Sequence, residues 1–473
     1  MRKWSPLLAV CLGTFLLLVD VTVVVVALPA IGDRFAAGLS GLQWVLDGYA
    51  LALAALLLGA GSLADRYGRR RAYLVGLGLF AVSSLLCAVA PDARVLVAGR
   101  MLQGVGGAAM FATTVAILHV SYHGRDRGVA FGVWGAVNGA AAAAGPLVGG
   151  LLTEHAGWRW IFLVNLPVCA LAAWITRRAV SESRAPRTGG FDLPGTVTFT
   201  VAAGATTYGL IRGGDAGWTD PVTLGAFVVA ALTAVAFGSV ERRRPHPMLD
   251  LALFRRPAFA AMVVAALLAQ AAAFAYLPFT TVWLQQVLGH GPVDAGLLGA
   301  LPMSAAALVV GAAAGARLQR WNPRWTVGVG LLLVAAGDLL QSTVDAASTG
   351  AVLVPGLIVA GLGVGAVLPT LSSAVLAAVP RDRSGMAGGT LNTARQLGFA
   401  LGVAIFGTVF QHAVTSTPGD PHTAFAAGLS TTLQVAAAVA AAGAVLALIL
   451  IRRPAPPADD ATRQLARPAT TPA

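Results

Sequence analysis

Three acids lie inside long apolar runs of this sequence, as does one arginine about five residues inside a run, and a charged side chain is costly there. The acids are Asp20 (in LLLVDVTVVVVALP), Asp47 and Asp338, and the arginine is Arg100. Burial in a low dielectric disfavours the charged form of a carboxyl group, so such a group can exchange a proton near neutral pH as its access changes. A nearby arginine favours the charged form again. We therefore predict proton coupling at these four residues. For Asp20, the alternatives are a contact to a cationic substrate and a purely structural hydrogen bond.

The elements that must hold these residues are membrane-spanning helices. Of the 473 residues, 57% are hydrophobic and only 11% are charged, whereas soluble proteins carry about 25% charged residues. Runs of about 20 apolar residues recur along the chain, and each is long enough to cross a bilayer. We predict an all-α polytopic membrane protein with fourteen transmembrane helices, at about 6–30, 43–64, 72–90, 95–118, 128–152, 158–176, 193–211, 221–240, 258–287, 295–316, 325–343, 351–377, 386–412 and 428–451.

The basic residues indicate how these helices are oriented. With the N-terminus in the cytoplasm, nearly all of the 32 Lys and Arg residues fall in cytoplasmic segments, as the positive-inside rule requires. We therefore predict that both termini are cytoplasmic. The net charge of +12 is then a topology signal, and it does not indicate a nucleic-acid surface. The outer segments contain only Arg34, Arg94, Arg159 and Arg212.

The longest polar links divide the chain into two similar halves. We predict an N-terminal six-helix bundle at 1–176 and a C-terminal six-helix bundle at 257–451. Between them, residues 177–256 form cytoplasmic links that flank a two-helix insert at about 193–240. Each bundle has a short basic loop after its second helix, which is typical of the related halves of secondary transporters. The tail at 452–473 is rich in Pro, Ala and charge and is predicted to be disordered.

The first of these basic loops, GSLADRYGRRRAYL at 61–74, contains a second group of candidate residues. Its glycines allow a tight turn and close helix approach, and its acid can pair with an arginine or with a helix end. The simplest interpretation is a topology anchor. The alternative is a conformational latch that must break when the two halves move. The candidate latch residues are Gly61, Asp65, Arg66, Gly68, Arg69 and Arg70.

The fourth and fifth helices contain the remaining candidates. Arg100 lies about five residues inside helix 4, where a guanidinium costs roughly 2.5–3.5 kcal/mol, so it needs a partner unless it reaches the interface. Gln103 follows one turn later. In helix 5 the stretch NGAAAAAGPLVGGLL is rich in glycine and alanine, so one face of the helix has almost no side-chain atoms, which favours close helix packing. Its proline interrupts the helical hydrogen-bond ladder. The residues of this glycine helix are Asn138, Gly139, Gly145, Pro146, Gly149 and Gly150.

Together these stretches resemble motifs of the major facilitator superfamily. The basic loop is similar to its loop signature, Gly-x-Leu-Ala-Asp-Arg-x-Gly-Arg-Arg. Arg100-x-x-Gln103-Gly resembles its helix-4 motif, in which the arginine is tied to proton coupling. The helix-5 stretch resembles the antiporter motif of its exporters. The run around Asp20 resembles the helix-1 signature of the fourteen-span drug:H+ antiporters, whose acid is implicated in coupling. Val25, however, stands where that signature commonly has asparagine.

The resemblance implies the major facilitator fold, with two six-helix bundles plus two extra helices, and a function in multidrug efflux. We predict a proton-coupled antiporter, not an enzyme, that exports small amphipathic drugs, cationic or lipophilic, from the cytoplasm across a bacterial inner (plasma) membrane by alternating access. The alternatives are a dedicated exporter of one metabolite or antibiotic and, against the helix-5 motif, a proton-coupled uptake symporter. A membrane enzyme would need clustered catalytic groups in a loop, and the sequence contains none.

The expected partners follow from this function. They are a small-molecule substrate, protons and the lipid bilayer, with no nucleic acid, and the chain is expected to act as a monomer. No phosphate-binding loop occurs, so the proton gradient is the expected energy source and no cofactor is expected. The histidine and cysteine spacings predict no metal site. Three further polar residues would either bind a substrate group or brace helix ends: Gln103, Asn138 and Arg395.

Overall fold

The computed structural model describes residues 2–184, 192–244, 247–318, 321–379 and 384–451, and within these ranges the chain contains helices and no strand. The predicted tail at 452–473 lies outside the described residues, as does part of the links at 185–191 and 245–246. The side chain of Asp65 and the surroundings of Gly139 are also outside what is described.

Joining helices separated by a short break gives fourteen helical segments in the described ranges. The first half contains α1 (Ser5–Phe35), α2 (Leu39–Tyr67), α3 (Arg69–Ala88), α4 (Ala93–Ser121), α5 (Gly124–His155) and α6 (Trp160–Ala179). Between the halves lie α7 (Leu193–Ala216) and α8 (Pro221–Arg243). The second half contains α9 (Pro257–Val287), α10a (Pro292–Gly299), α10b (Leu301–Leu318), α11 (Pro323–Gln341), α12 (Leu353–Ala377), α13 (Ser384–Ser416) and α14 (Pro421–Leu450).

Most of these segments are suited to a bilayer. Among the residues that the structure describes, eleven are long and apolar enough to span a membrane, or twelve if the pair α10a and α10b, bent by 43°, forms one span. The helices α5 and α7 are not among them. The chain is therefore a helical multi-pass membrane protein, and the count of fourteen spans stays a prediction.

The helix contacts define two bundles and an insert. In the first half, α4 packs on α2 and α3, while α1 packs on α5 and α6. In the second half, α12 packs on α10b and α11, and α9 packs on α13 and α14. The halves meet along two seams, α2 with α13 and α5 with α10a and α10b. The insert helix α7 packs on α8 and also lies against both helices of the α2–α13 seam.

The two ends of the molecule are packed differently. We call the end with the turn at Gly68 and the α6–α7 link the basic face, and the end with the α1–α2 and α5–α6 loops the opposite face. At the opposite face a single apolar cluster joins the halves and includes Leu28 and Trp283. Toward the basic face each half has its own cluster, one around Tyr73 and one around Phe259. The apolar clusters are therefore shared at the opposite face and separate toward the basic face, where α2 and α13 still touch: Thr393 Oγ1 donates to Ala54 O at 3.3 Å, and a Cβ at Gly389 would lie 2.5 Å from Leu58 Cδ2.

Candidate functional site

A buried polar network forms at the centre of the first bundle. Four helices contribute to it: α1 provides Asp20, α3 provides Ser84, α4 provides Arg100 and Gln103, and α6 provides Asn165. The side chains of Asp20 and Arg100 are each only 1% exposed, and the other three are also buried. The sequence separations between these partners reach 145 residues, so the bundle, not any local motif, assembles the site.

Glycine at one position of α4 permits this assembly. A Cβ at Gly104 would lie 2.5 Å from the backbone oxygen of Tyr49 and 2.8 Å from Ala52 Cβ, both on α2. Only glycine allows so close an approach of two helices. The close packing brings Arg100 within reach of α2, where its Nε donates to Val45 O at 3.1 Å.

The Asp20 carboxylate accepts hydrogen bonds from three side chains. Arg100 Nη1 donates to Oδ2 at 2.5 Å, while Asn165 Nδ2 and Gln103 Nε2 donate to Oδ1 at 2.9 Å and 3.4 Å. Ser84 Oγ in turn accepts from Gln103 Nε2 at 2.7 Å and from Asn165 Nδ2 at 3.2 Å. The structure thus brings together Asp20, Arg100 and Gln103, three residues that the sequence singled out. Asn165 and Ser84 were not among the predicted residues.

The guanidinium of Arg100 has hydrogen-bond or ring contacts to α1, α2 and α4, so the side chain does not extend to the membrane interface. Its Nη1 also donates to Gln103 Oε1 at 2.8 Å, and its guanidinium lies 4.5 Å from the ring centroid of Tyr49. A buried ion pair adds little net stability, because desolvation offsets the attraction, but removing one partner leaves an uncompensated charge and costs about 3–5 kcal/mol. The network is therefore sensitive to any change in the charge of either partner.

Asp47 lies apart from this network. It is fully buried on α2, and neither carboxylate oxygen has a hydrogen-bond partner among the described residues. Gln43 lies one turn earlier on the same face of the helix, and its Nε2 donates to Val403 O on α13 at 2.8 Å. Asp47 therefore lies on the face of α2 that packs against the other half.

Asp338 forms a separate buried site in the second bundle. It lies on α11, is fully buried, and has no hydrogen bond of normal geometry to either oxygen. One turn after Asp338 on α11, Gln341 Nε2 donates to the hydroxyl of Tyr276 on α9 at 3.1 Å. Neither Asp338 nor Asp47 makes a hydrogen bond or ion pair with Asp20 or Arg100. The three predicted acids thus occupy three different places.

The basic loop is anchored by a residue that sequence reasoning missed. The backbone N–H groups of Arg70 and Arg71 donate to the Glu182 carboxylate at 3.0 Å and 3.2 Å, and Arg71 Nε lies 3.8 Å from it. Glu182 lies in the α6–α7 link, where nothing in the sequence distinguishes it from other link acids. It receives the N-terminal amides of α3, a favourable position for a carboxylate.

The other latch candidates are placed around this contact. The turn at Gly68 has φ = +118°, a conformation that favours glycine. Arg66 is exposed, and the nearest atom to a Cβ at Gly61 would be Ala112 Cβ at 4.0 Å. Arg70 Nη1 also donates to Val180 O at 3.3 Å, and Arg69 N donates to Ser183 O at 3.0 Å. These contacts lie within the first half and its outgoing link.

The glycines of α5 bring this helix close to two neighbours. Gly145 faces Thr22 of α1, and a Cβ at Gly149 would lie 3.0 Å from Val23 Cα. Gly150 and Pro146 instead face the other half: a Cβ at Gly150 would lie 2.7 Å from Pro292 O, and Pro146 O would lie 2.5 Å from a Cβ on Gly296 of α10a. The predicted glycine face therefore forms part of the seam between the halves.

Hydrogen bonds close the same seam at the opposite face. Glu154 Oε2, at the end of α5, accepts from Val293 N at 3.1 Å, and Gln285 Nε2 donates to Val26 O at 2.8 Å. Toward the basic face, Cβ atoms at Gly132 and Gly135 of α5 would meet nothing within 4 Å. Sequence reasoning missed Glu154, although an acid at the end of the glycine helix was a usable signal.

The remaining polar candidates make local contacts. Asn138 Nδ2 donates to Trp134 O on its own helix at 2.7 Å. Arg395 on α13 is partly buried, and its Nε donates to Gln270 Oε1 on α9 at 3.3 Å, a contact that braces two helices of one half. Among the described residues, no group of three or more His, Cys, Asp or Glu side chains is placed to hold a metal ion.

Comparison with known proteins agrees with this architecture. The sequence profile described as Major Facilitator Superfamily matches residues 10–403 and 314–471. The peptide transporter POT in complex with sulfate superimposes with a TM-score of 0.68 at 14% identity, covering 94% of this chain and 93% of that one. The human organic anion transporter MFSD10 (TETRAN) superimposes with a TM-score of 0.64 at 17% identity, and the match covers 94% of this chain and 99% of that one. These likenesses show the fold.

Relatives found by sequence comparison share more residues with this chain than these two structures do. Multidrug resistance protein Stp of Mycobacterium tuberculosis is 38% identical over 417 residues, 88% of this chain and 77% of that protein. Puromycin resistance protein pur8 of Streptomyces alboniger is 36% identical over 473 residues, 97% of this chain and 93% of that protein. Multidrug efflux pump LfrA of Mycolicibacterium smegmatis is 33% identical over 410 residues, covering 86% and 81%. With this profile match, helical architecture and set of relatives, the chain belongs to the Major Facilitator Superfamily.

Proposed function

We propose that this protein is a proton-coupled efflux antiporter, not an enzyme, and that it exports small amphipathic compounds, cationic or lipophilic, from the cytoplasm. The observation that carries the proposal is the fully buried Asp20–Arg100 pair, held by Gln103 and Asn165. The relatives are named multidrug resistance protein, multidrug efflux pump and puromycin resistance protein, which supports export of drug-like compounds.

The proposal includes a topology and an energy source. The chain has fourteen spans, with the basic face and both termini in the cytoplasm of a bacterium, and it lies as a monomer in the inner membrane. The bundles are 1–176 and 257–451. The close contact of α5 with α10a at the opposite face corresponds to a state closed to the outside. The proton gradient is the energy source, without a cofactor.

Coupling follows from the chemistry of the buried pair. A proton that reaches Asp20 from outside cancels the charge that balances Arg100, leaving the guanidinium with the neutral acceptors Gln103 Oε1 and Val45 O. The two protonation states then favour different placements of α1 against α4. A substrate is pumped only if protonation changes its affinity between the two states. Asp47 and Asp338, which are buried and have no hydrogen-bond partner within the described ranges, are additional proton sites.

The contacts at the two ends have roles in alternating access. Outward opening must separate α5 from α10a, which breaks the Glu154–Val293 hydrogen bond. The basic loop, bound to Glu182, is the latch at the cytoplasmic end of the first bundle. The glycines of α5 let the outer seam close, which is their role in antiport.

Transport by the purified protein in liposomes tests the proposal. With ethidium or tetraphenylphosphonium as substrate, we expect accumulation when the lumen is acidic, and loss of the accumulated substrate after addition of a protonophore. Accumulation only with an alkaline lumen would instead identify an uptake symporter. No gradient-dependent accumulation of any compound in a broad drug panel would refute proton-coupled transport.

A second candidate function is a dedicated exporter of one antibiotic. A relative named tetracenomycin C resistance and export protein, from Streptomyces glaucescens, is 35% identical over 412 residues, 86% of this chain and 76% of that protein. The same liposome assay with the drug panel distinguishes the two. Transport of one compound only would indicate the dedicated exporter, and transport of several unrelated cations would indicate the multidrug antiporter.

Substitution of Asn165 tests the neutral part of the network. Asn165→Ala removes one of three donors to Asp20 and one of two donors to Ser84. Loss of such a hydrogen bond is expected to lower stability by about 1–3 kcal/mol and to slow transport without abolishing it, because Arg100 and Gln103 still donate. Thermal unfolding and initial transport rates measure both effects.

The matched control for this substitution is Asn392→Ala. The amide of Asn392 donates to Gly388 O, one turn earlier on its own helix, at 3.1 Å, so its loss should leave transport nearly unchanged. Equal effects of the two substitutions would show that Asn165 has no special role in the network.

A further inference from the structure

A small cleft lies where the insert meets the α2–α13 seam, at the opposite face. Its volume is about 120 Å³, and it is open on one side. It lies outside the buried network and outside the α5–α10a seam. The cleft is lined by Ser40, Trp44, Tyr208, Ile211, Arg212 and Asp215.

The insert helix α7 forms one wall of this cleft by lying across the seam. Thr408 Oγ1 of α13 donates to Leu210 O at 3.3 Å, and a Cβ at Gly214 would lie 2.9 Å from that same hydroxyl oxygen. Trp44 of α2 and Tyr208 of α7 both line the cleft, and their rings are in contact, with centroids 6.3 Å apart and planes inclined by 44°. One turn further along α2 is Asp47, so the cleft lies near the buried acid of the seam.

The charges around the cleft sum to one negative charge. Arg212 Nε pairs with Asp220 Oδ2 at 2.8 Å, and Asp220 also caps α8 through the backbone N–H groups of Val222 and Thr223. Asp215 is exposed and has no hydrogen bond or ion pair in the part of the chain that the structure describes. One basic and two acidic side chains therefore surround the cleft, and the unpaired charge is the carboxylate on its wall.

The size and walls of the cleft select a type of ligand. An apolar cavity of about 150 Å³ holds benzene, so this cleft can hold roughly one aromatic ring while the rest of a larger molecule projects through the open side. Indole and phenol faces attract cations, and the Asp215 carboxylate adds Coulomb attraction. A neutral ring would gain the apolar contact but not these electrostatic terms.

We propose that this cleft is a peripheral binding site for lipophilic organic cations, in which Trp44 and Tyr208 hold an aromatic group and Asp215 attracts the positive charge. The inference rests on the proposed function, since an exporter of such compounds delivers them to this face of the membrane. It also gives the two-helix insert a role in substrate binding, separate from the proton-coupling network.

Equilibrium binding of radiolabelled tetraphenylphosphonium to the purified full-length protein tests the site. The wild type is expected to show two classes of site, and Asp215→Asn and Tyr208→Leu should each weaken one class about fivefold or more while leaving the other class unchanged. The matched control is Asp33→Asn, which removes the same charge from an exposed position at the same face and should change binding less than twofold. The thermal midpoint of each variant shows that it is folded.

Each result decides the proposal. Equal affinities in the wild type and both cleft variants would overturn it, as would the absence of tetraphenylphosphonium binding to the wild type. Neutral triphenylphosphine oxide should compete only weakly with tetraphenylphosphonium for the cleft, and its affinity should be the same in Asp215→Asn as in the wild type. If the neutral compound competed as strongly as the unlabelled cation, the cleft would be an apolar groove without preference for cations, and the proposal would be overturned. Failure of proton-driven transport with the cleft-dependent binding intact would refute the antiporter function and leave the site standing.

Discussion

Replacing Asp20 by asparagine is expected to abolish proton-driven accumulation of substrate while leaving downhill exchange. Asparagine has nearly the same shape and can still accept from Asn165, but it cannot exchange a proton and leaves the charge of Arg100 unbalanced at 1% exposure. We expect the gradient-driven rate to fall at least about tenfold, equivalent to about 1.4 kcal/mol. Stability should fall by about 3–5 kcal/mol, the cost of breaking a buried pair from one side. Rates with and without a pH gradient, together with thermal unfolding, measure these effects.

A double variant separates coupling from stability. Combining Asp20→Asn with Arg100→Gln removes the unbalanced guanidinium charge, so stability should recover. Proton-driven transport should stay absent. Asp33→Asn, at an exposed position of the same helix, is the matched control and should transport normally. Full, pH-dependent transport by Asp20→Asn would refute the role of Asp20. Recovery of pumping in the double variant would show that the single variant failed only because it was unstable.

Adding one methyl group at Gly150 is expected to prevent closure of the outer seam. In Gly150→Ala the new Cβ would lie 2.7 Å from Pro292 O and from Val293 Cα. Both are backbone atoms that cannot rotate away, so α10a must move and the Glu154–Val293 hydrogen bond must lengthen. We expect transport to fall about tenfold or more. Val282 is buried and lines a small apolar pocket with Leu28 and Phe279, so the cysteine of a Val282→Cys variant should then react faster with a membrane-impermeant maleimide added from outside.

Gly135→Ala is the matched control on the same helix. A Cβ at this position would meet no atom within 4 Å, and alanine is a better helix former than glycine by about 0.8–1.0 kcal/mol. The control should therefore transport normally and be no less stable than the wild type. Equal loss in both variants would indicate a general effect of alanine in α5, and normal transport by Gly150→Ala would show that this close approach is not required.

Much of the architecture was predictable because a membrane restricts the chain strongly. Backbone polar groups in hydrocarbon must bond within helices, so the apolar runs predicted helices, and the structure has helical segments at each of them. The runs around Asp20 and Arg100 also marked two costly charges that needed partners. The basic loop and the glycine helix carried the superfamily resemblance, which the profile match bears out.

The sequence by itself therefore determined the class of protein, the apolar helices and the identity of the charges that must be satisfied, since these depend on composition and local spacing. Only the tertiary structure decided which acid binds Arg100, because Asp20 and Asp47 both lie on neighbouring helices and the choice depends on how α4 crosses them. It also supplied Asn165, Glu182 and Glu154, whose partners are more than a hundred residues away along the chain. Such contacts are set by helix crossing and close backbone approach, and no local pattern records either.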